Sequence, residues 1–271
     1  MSELEPLYSG TKPMKVAGFM SGSGTNLVKL IENQGAYEIS MIFTDNPKSK
    51  ATEISLKYKI PLISDDIREF YEASHLPMND MEHRKIYDMP TRIFLEVKNI
   101  PTIALAGYDW VVTDVLLDRL CVNIHPGDLR VFKENGKRKY IGLGWIPSAK
   151  AILAGEENVY TSCHLVTPGL DEGPLLMVSA PQRVIMPAGV RREDLLEGKT
   201  LKEIIKNPEG HYLVDLAKEH QERLKVNGDW LVYPLVLKLI AEGRYARDKE
   251  GKLFFDGKPI PNGLNYEEAQ K

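Results

Sequence analysis

An α/β protein with a doubly wound, mostly parallel sheet is the fold class that three features of this sequence predict. Short apolar runs alternate with segments of helical spacing from Met14 to His125. The first run is followed at once by a glycine-rich loop, and the last one stops at Pro126. Strand and helix patterns alternating at this interval mean βαβ units, whose crossovers lay helices over a parallel sheet. The expected organisation is a single domain over residues 14–263 with C-terminal helices and a hairpin tail. Residues 1–13 and 264–271 are expected to extend beyond it.

Met14 to Met20 reads as a buried strand, Ser21-Gly22-Ser23-Gly24-Thr25-Asn26 as a loop, and Leu27 to Glu32 as a helix. Strand, glycine loop, helix is a recipe for an anion site, because glycines let the backbone wrap closely and the helix N-terminus presents free N–H groups. Two named loops of this kind do not fit. A dinucleotide fingerprint needs a third glycine where Leu27 stands, and a P-loop needs Gly-Lys-Ser/Thr. A phosphate cradle of another kind and a purely structural turn both stay open. Further strands are expected at Ile39–Phe43, Ile60–Ile63, Thr102–Ala106 and Leu120–His125, with a helix over Ala51–Tyr58. Asp65–Asn79 reads as a polar surface insertion, Met81–Lys98 as a helix interrupted near Pro90, and Asp114–Arg119 as a brief helix.

Gly127–Gly144 reads as a solvated loop in which Lys133, Lys137, Arg138 and Lys139 cluster; recruitment of an anionic substrate stays open. A helix over Pro147–Ala154 follows, then strands at Val159–Val166 and Leu175–Val184 around the glycine-flanked acidic turn Thr167–Pro174. Thr200–Val226 is expected as a helix broken around Pro208-Glu209-Gly210, and Trp230–Glu242 as another. Asp256-Gly257 is the turn of a hairpin.

With 271 residues, 43% apolar and 27% charged, the chain is an ordinary globular one. Its net charge of −3 gives no global basic field for nucleic acid or an anionic membrane, so small-molecule chemistry is expected. Cys121 and Cys163 sit in apolar runs and read as buried thiols, without disulfide or metal-ligand spacing. Met1–Pro13 lacks the pattern of a secretory leader, and no run approaches the roughly 18 apolar residues of a membrane span. A cytoplasmic location is the expectation.

Asn123-Ile124-His125-Pro126 holds the most chemistry. An amide and an imidazole two residues apart point the same way from a strand end, and Pro126 terminates that strand. That places both at the carboxyl edge of a sheet, where open α/β proteins build sites. Asn123 as a turn cap and His125 as a satisfied surface histidine is the alternative.

Asn123-Ile124-His125-Pro126, the later Leu170-Asp171-Glu172-Gly173-Pro174 and the opening Ser21-Gly22-Ser23-Gly24-Thr25-Asn26-Leu27 stand in the order and spacing of the folate-dependent formyltransferases, which this chain resembles from about Met14 to Gly263. Ala104-Leu105-Ala106-Gly107-Tyr108 is similar to the strand that precedes the catalytic one. Tyr233-Pro234-Leu235-Val236, Ala241-Glu242-Gly243-Arg244 and Asp256-Gly257 resemble the phosphoribosylglycinamide formyltransferase branch. The resemblance implies a formyltransferase-like, Rossmann-type fold and transfer of a formyl group from 10-formyltetrahydrofolate, as co-substrate, to the primary amine of phosphoribosylglycinamide or a similar phosphorylated amine. It implies Asn123, His125 and Asp171 as catalytic residues, with Asp171 lying 46 residues after His125. Asn123 would donate to the developing oxyanion, His125 would shuttle a proton, and Asp171 would raise the imidazole pKa.

By the same resemblance, Gly22, Ser23, Gly24, Thr25 and Asn26 hold the substrate phosphate. Tyr108, Asp109, Trp110, Val111 and Val112, with Thr167, Gly169 and Leu170, wall the folate pocket. Arg84 borders it, and Asp229 meets the substrate amine in place of the branch's glutamate. No metal is implied; a homodimer is one assembly the resemblance allows. Two departures fall on the substrate side. Pro126-Gly127-Asp128-Leu129-Arg130 replaces the family's Pro-Ser-Leu-Leu-Pro, and Gly144-Trp145-Ile146-Pro147-Ser148 replaces a motif with two histidines. Formyl transfer to another amine such as an amino sugar nucleotide, hydrolysis of formyltetrahydrofolate, and folate binding without turnover are the competing readings.

Overall fold

The apolar strand-like runs of the sequence assemble, in a computed structural model that describes residues 4–270, into the expected α/β architecture. Met1–Glu3, the start of the segment read for a leader, and Lys271 lie outside the described residues. In chain order the elements are β1 Glu5–Pro6, β2 Met14–Met20, α1 Thr25–Glu32, β3 Tyr37–Thr44, α2 Ala51–Tyr58, β4 Leu62–Ser64, α3 Ile67–Ala73, α4 Met81–Val97, β5 Thr102–Leu105 and β6 Leu120–His125. They continue with α5 Ile146–Ala154, β7 Asn158–Val159, β8 Ser162–Leu165, β9 Leu175–Val178, β10 Gln182–Arg183, α6 Leu201–Lys206, α7 Tyr212–Leu224 and α8 Trp230–Ala241. The tail holds β11 Tyr245–Arg247, β12 Leu253–Phe255, β13 Lys258–Pro259, β14 Leu264–Asn265 and α9 Tyr266–Ala269. These elements fall into two compact units. Among the described residues, the first comprises 4–124, 164–174 and 233–261, and the second 125–163, 175–232 and 262–270.

In the first unit the strands run in the order β6-β5-β2-β3-β4, all parallel. Alternation along β2 decides which helix covers which face. A Cβ on Gly18 would collide with Leu27 of α1, so α1 lies on the Gly18 face. Ala17 and Phe19 face the other way, packing in one cluster with Tyr71 of α3 and Tyr87 and Leu95 of α4. Helices on both faces make the sheet doubly wound. The Asp256-Gly257 turn lies between β12 and β13 as expected, both residues at positive φ (48° and 77°), as a tight hairpin turn requires. This hairpin extends an antiparallel sheet, β1-β11-β12-β13.

Three local expectations change. Asp65–Asn79 is no surface insertion: it contains α3, capped by Asp66, with Ile67 and Tyr71 buried in the core. The alternation of polar and aromatic residues there is one turn-by-turn amphipathic face. Pro90 does not interrupt α4, which runs unbroken from Met81 to Val97. Pro90 is exposed while Arg84, Tyr87, Asp88, Thr91 and Leu95 form the buried stripe, so the hydrogen bond it removes lies on the solvent side. Asp114–Arg119 is a run of turns rather than a helix.

Arg84 is only 2% exposed, which makes it the most demanding side chain of that stripe. Its guanidinium donates to Tyr108 Oη at 3.1 Å, lies 3.5 Å from Asp88 Oδ1, and stacks over the Tyr87 and Trp110 rings at 5.3 and 5.2 Å. Burial pushes the Asp88 carboxyl up, opposed by bonds from Thr113 and by Arg84.

The second unit is built on helices. Ala149 and Ile152 of α5, Ile204 of α6 and Leu213, Val214 and Ala217 of α7 share one core with Leu195. The long expected helix breaks where Pro208 and Gly210 stand, giving α6, held by a Thr200–Glu203 capping box, and α7. Expected strands Val159–Val166 and Leu175–Val184 are each broken, into β7 and β8 and into β9 and β10. His220 is buried in α7; its Nδ1 donates to Leu216 O at 2.8 Å and its Nε2 accepts from Ile185 N at 2.9 Å. A neutral ring satisfies both contacts, and burial holds its pKa below the ordinary 6.5.

Two outcomes follow. Arg84→Met removes one partner of a buried ion pair and is expected to lower unfolding stability by about 3 kcal/mol or more, measured by urea denaturation. Because the His220 pKa is depressed on folding, the unfolded chain takes up this proton first. The neutral ring's contribution is therefore fully present above pH 6.5 and is lost as pH falls through the folded value. Thermal melts of wild type should fall over that window more steeply than those of His220→Gln, whose amide accepts from Ile185 without titrating.

Candidate active site

The glycine loop follows β2 because two contacts force its path. Gly24 has φ 66°, and a Cβ there would come within 2.5 Å of Ile54 Cδ1 and 2.8 Å of Met20 Cε, so only glycine fits. Gly22 opens onto free space. Gly24 is the N-cap of α1 and brings no side chain to the helix N-terminus. The loop is anchored from below. Ser21 donates its hydroxyl to Asp45, which also accepts from Trp110 Nε1 at 2.7 Å, while Ser21 Oγ accepts from Asp109 N at 3.0 Å. Asn46 Nδ2 donates to Ser21 O at 3.0 Å. Thus the sequence-predicted phosphate loop, Gly22 to Asn26, and the sequence-predicted folate wall, Tyr108 to Val112, are joined through one carboxylate.

Within that wall the side chains divide. Tyr108 and Val112 are core residues; Tyr108 packs edge-on against Phe19 (5.5 Å) and Phe43 (6.1 Å) and accepts from Arg84. Asp109 and Val111 are exposed and Trp110 half-buried. Partial burial, and then the Asp45 charge, push the Asp109 carboxyl up.

Asn123, near the end of β6, lies beside the 164–174 segment, which is held to β6 by Val166 N–H donating to Cys121 O at 2.8 Å. Asn123 Nδ2 is 3.2 Å from His164 Nε2 and 3.5 Å from Asp171 Oδ1, and His164 Nε2 is itself 3.5 Å from that oxygen. His164 Nδ1 lies 2.8 Å from Leu165 O; a carbonyl only accepts, so Nδ1 carries a proton. In the neutral ring Nε2 then accepts from Asn123, whose second N–H faces Asp171. That second contact is long, leaving this N–H able to turn to a substrate oxygen.

Asp171 is placed by a constrained turn. It adopts the left-handed conformation at φ 52°, uncommon outside glycine, and is 9% exposed. A Cβ on Gly173 would collide with the Leu165 carbonyl oxygen, so the turn closes only with glycine there. Thr167 and Gly169 are half-buried and Leu170 exposed on the same loop. Sequence reasoning missed His164. Its signal was an imidazole within the apolar run Ser162-Cys163-His164-Leu165, three residues before a turn already marked as acidic.

His125, the last residue of β6, belongs to the second unit. Nε2 is 2.7 Å from Tyr140 O and so carries the proton, which leaves Nδ1 as the basic nitrogen of the neutral ring. A Cβ on Gly127 would strike that Tyr140 oxygen and sit 2.9 Å from His125 Nε2. Glycine at residue 127 therefore has a physical reason: only glycine leaves room for the following segment to offer His125 a carbonyl. A small open pocket lies beside this contact, walled by Asp128, Tyr140, Glu156, Asn158 and Tyr160. Asp229, 6% exposed, ends a single π turn and accepts from Thr161 Oγ1 at 2.6 Å. Both cysteines are buried. Among the described residues no three His, Cys, Asp or Glu side chains gather as a metal site, and no helix is long and apolar enough to cross a membrane.

Comparison with known proteins identifies the family. A family model described as formyl transferase matches residues 14–188. The chain is similar in structure to the phosphoribosylglycinamide formyltransferase of Coxiella burnetii, solved with CHES, at 23% identity and TM-score 0.66, covering 94% of this chain and 99% of that one. It is similar to that of Anaplasma phagocytophilum at 20% identity and TM-score 0.63, with the same coverages. The counterpart from Bacillus halodurans is 26% identical, with TM-score 0.50, over 79% of this chain and 98% of that one. No curated protein matches the chain. The family match takes in more than half of the residues, including the glycine loop, Asn123, His125 and Asp171, and on that ground the chain belongs to the formyl transferase family.

Proposed function

We propose that this chain transfers a formyl group from 10-formyltetrahydrofolate to the primary amine of phosphoribosylglycinamide or a similar phosphorylated amine. The observation that carries the reading is the gathering of Asn123, His164 and Asp171 within 3.2–3.5 Å of one another. The reaction needs a donor for an oxyanion and a route for a proton, with no redox step. The amine nitrogen attacks the formyl carbon, and the carbonyl oxygen takes the negative charge. Asn123 Nδ2–H turns from Asp171 to that oxygen, a contact typically worth roughly 3–4 kcal/mol in the transition state. The ammonium proton leaves through His125, the C–N10 bond breaks, and N10 takes the proton. Asp171 and His164 hold the Asn123 amide in its orientation.

The other assignments follow the same reading. Gly22, Ser23, Gly24, Thr25 and Asn26 receive the acceptor's phosphate on the loop and the helix N-terminus. Tyr108 to Val112, Thr167, Gly169 and Leu170 wall the folate, and Arg84 serves by fixing Tyr108. Asp229 meets the acceptor amine. The three structural neighbours named above are phosphoribosylglycinamide formyltransferases, which supports this choice of acceptor.

Purified chain given both substrates should release tetrahydrofolate and formylated acceptor in equal amounts. Asn123→Ala should lower kcat by roughly 10²- to 10³-fold with little change in folate affinity. Asp171→Asn, which keeps shape but not charge, is expected to lower kcat by about 10²-fold or more. Folate binding without formylated product from phosphoribosylglycinamide, an amino sugar nucleotide or water would leave only a binding role.

A further inference from the structure

The basic segment after Pro126 is more ordered than a solvated loop. Lys133 N–H donates to Lys137 O at 2.8 Å, Gly136 N–H to Lys133 O at 2.9 Å, and Lys139 N–H to Val131 O at 2.9 Å. Phe132 and Arg138 form an antiparallel bridge, and Gly136 turns the tip at φ 75°. Residues 131–139 are therefore a tight hairpin carrying Lys133, Lys137, Arg138 and Lys139 against a single acid, Glu134.

Its register places Lys133 across from Lys137. Like charges directly opposite each other destabilise a hairpin, and here both lysines are exposed. A third ammonium joins them: Lys150 on α5, half-buried, donates to Ile141 O at 2.5 Å. Burial, and then the Lys133 charge, push its pKa down. Lys139 stands 3.6 Å from Glu156. Repulsion held in place by backbone pairing is relieved by an anion. Cross-strand residues stand about 5.5 Å apart, so ammonium groups fanning from both strands and from α5 suit several linked anionic groups better than one.

We infer that Lys133, Lys137, Arg138 and Lys150 form a binding site for a linear oligoanion, two or more neighbouring phosphates or carboxylates, carried by one of the substrates. The hairpin leads directly into Tyr140, whose carbonyl accepts from His125 Nε2, so occupancy of the site steadies the segment that orients this imidazole. Assignment to a substrate rests on the proposed formyl transfer; the site itself does not. Two sources offer this chemistry, the phosphates of an acceptor bearing more than one and the glutamyl carboxylates of the folate donor.

Calorimetry on the full chain with inorganic tripolyphosphate and, separately, a γ-linked triglutamate peptide distinguishes them without turnover. At least one probe should bind, more weakly as salt rises. Binding should fall tenfold or more in Lys133→Ala/Lys137→Ala, and stay near wild type in Lys57→Ala/Lys202→Ala, which removes the same charge elsewhere. Binding of the tripolyphosphate assigns the site to the acceptor, and binding of the peptide assigns it to the donor. No binding of either probe, or equal losses in both double variants, overturns the proposal. Loss of binding in the hairpin variant of a chain that transfers no formyl group would uphold the site while removing the proposed function.

Discussion

Asp45 is a carboxylate with no solvent exposure, and a buried charge persists only where hydrogen bonds replace the water it has lost. Ser21 and Trp110 supply them. Those partners come from different strand ends: Ser21 follows β2, Asp45 follows β3, and Trp110 lies beyond β5. One desolvated group therefore ties three loops at the carboxyl edge of the first unit's sheet. The glycine loop and the 108–112 segment are held in register by the same requirement, and the buried Arg84 fixes Tyr108 in the adjoining core.

The second part of the site depends on backbone constraint more than on charge. Asp171 accepts a left-handed conformation, and Gly173 is pressed against the Leu165 carbonyl. A turn under those two demands has little freedom, so the carboxylate is delivered to Asn123 and His164 by covalent geometry. The 3.5 Å contact to Asp171 leaves one amide hydrogen of Asn123 able to exchange partners at modest loss.

Gly127 plays the corresponding part in the second unit. With no side chain at Gly127, Tyr140 can offer His125 its carbonyl. Residues that read as rewritten in sequence thus form a supporting structure for the histidine, with the basic hairpin as its outer part.

Much of this was legible in the sequence because it is local. The strand at Met14–Met20, the helix at Ala51–Tyr58, the break at Pro208-Glu209-Gly210 and the Asp256-Gly257 turn each follow from side-chain period or backbone restriction within a few residues. Asn123, His125 and Asp171 were legible as residue types in order. What local pattern did not settle was orientation and environment. Pro90 fits inside α4 because the helix happens to face solvent there, and α3 was hidden because its apolar face becomes visible only against the core. Arg84, His164 and Asp45 took on their roles through partners 24 to 65 residues away in the chain. Sequence by itself determined the order of elements and the chemical inventory. Tertiary structure decided which of those groups are buried and therefore paired, because desolvation depends on what packs against a residue rather than on its neighbours in the chain.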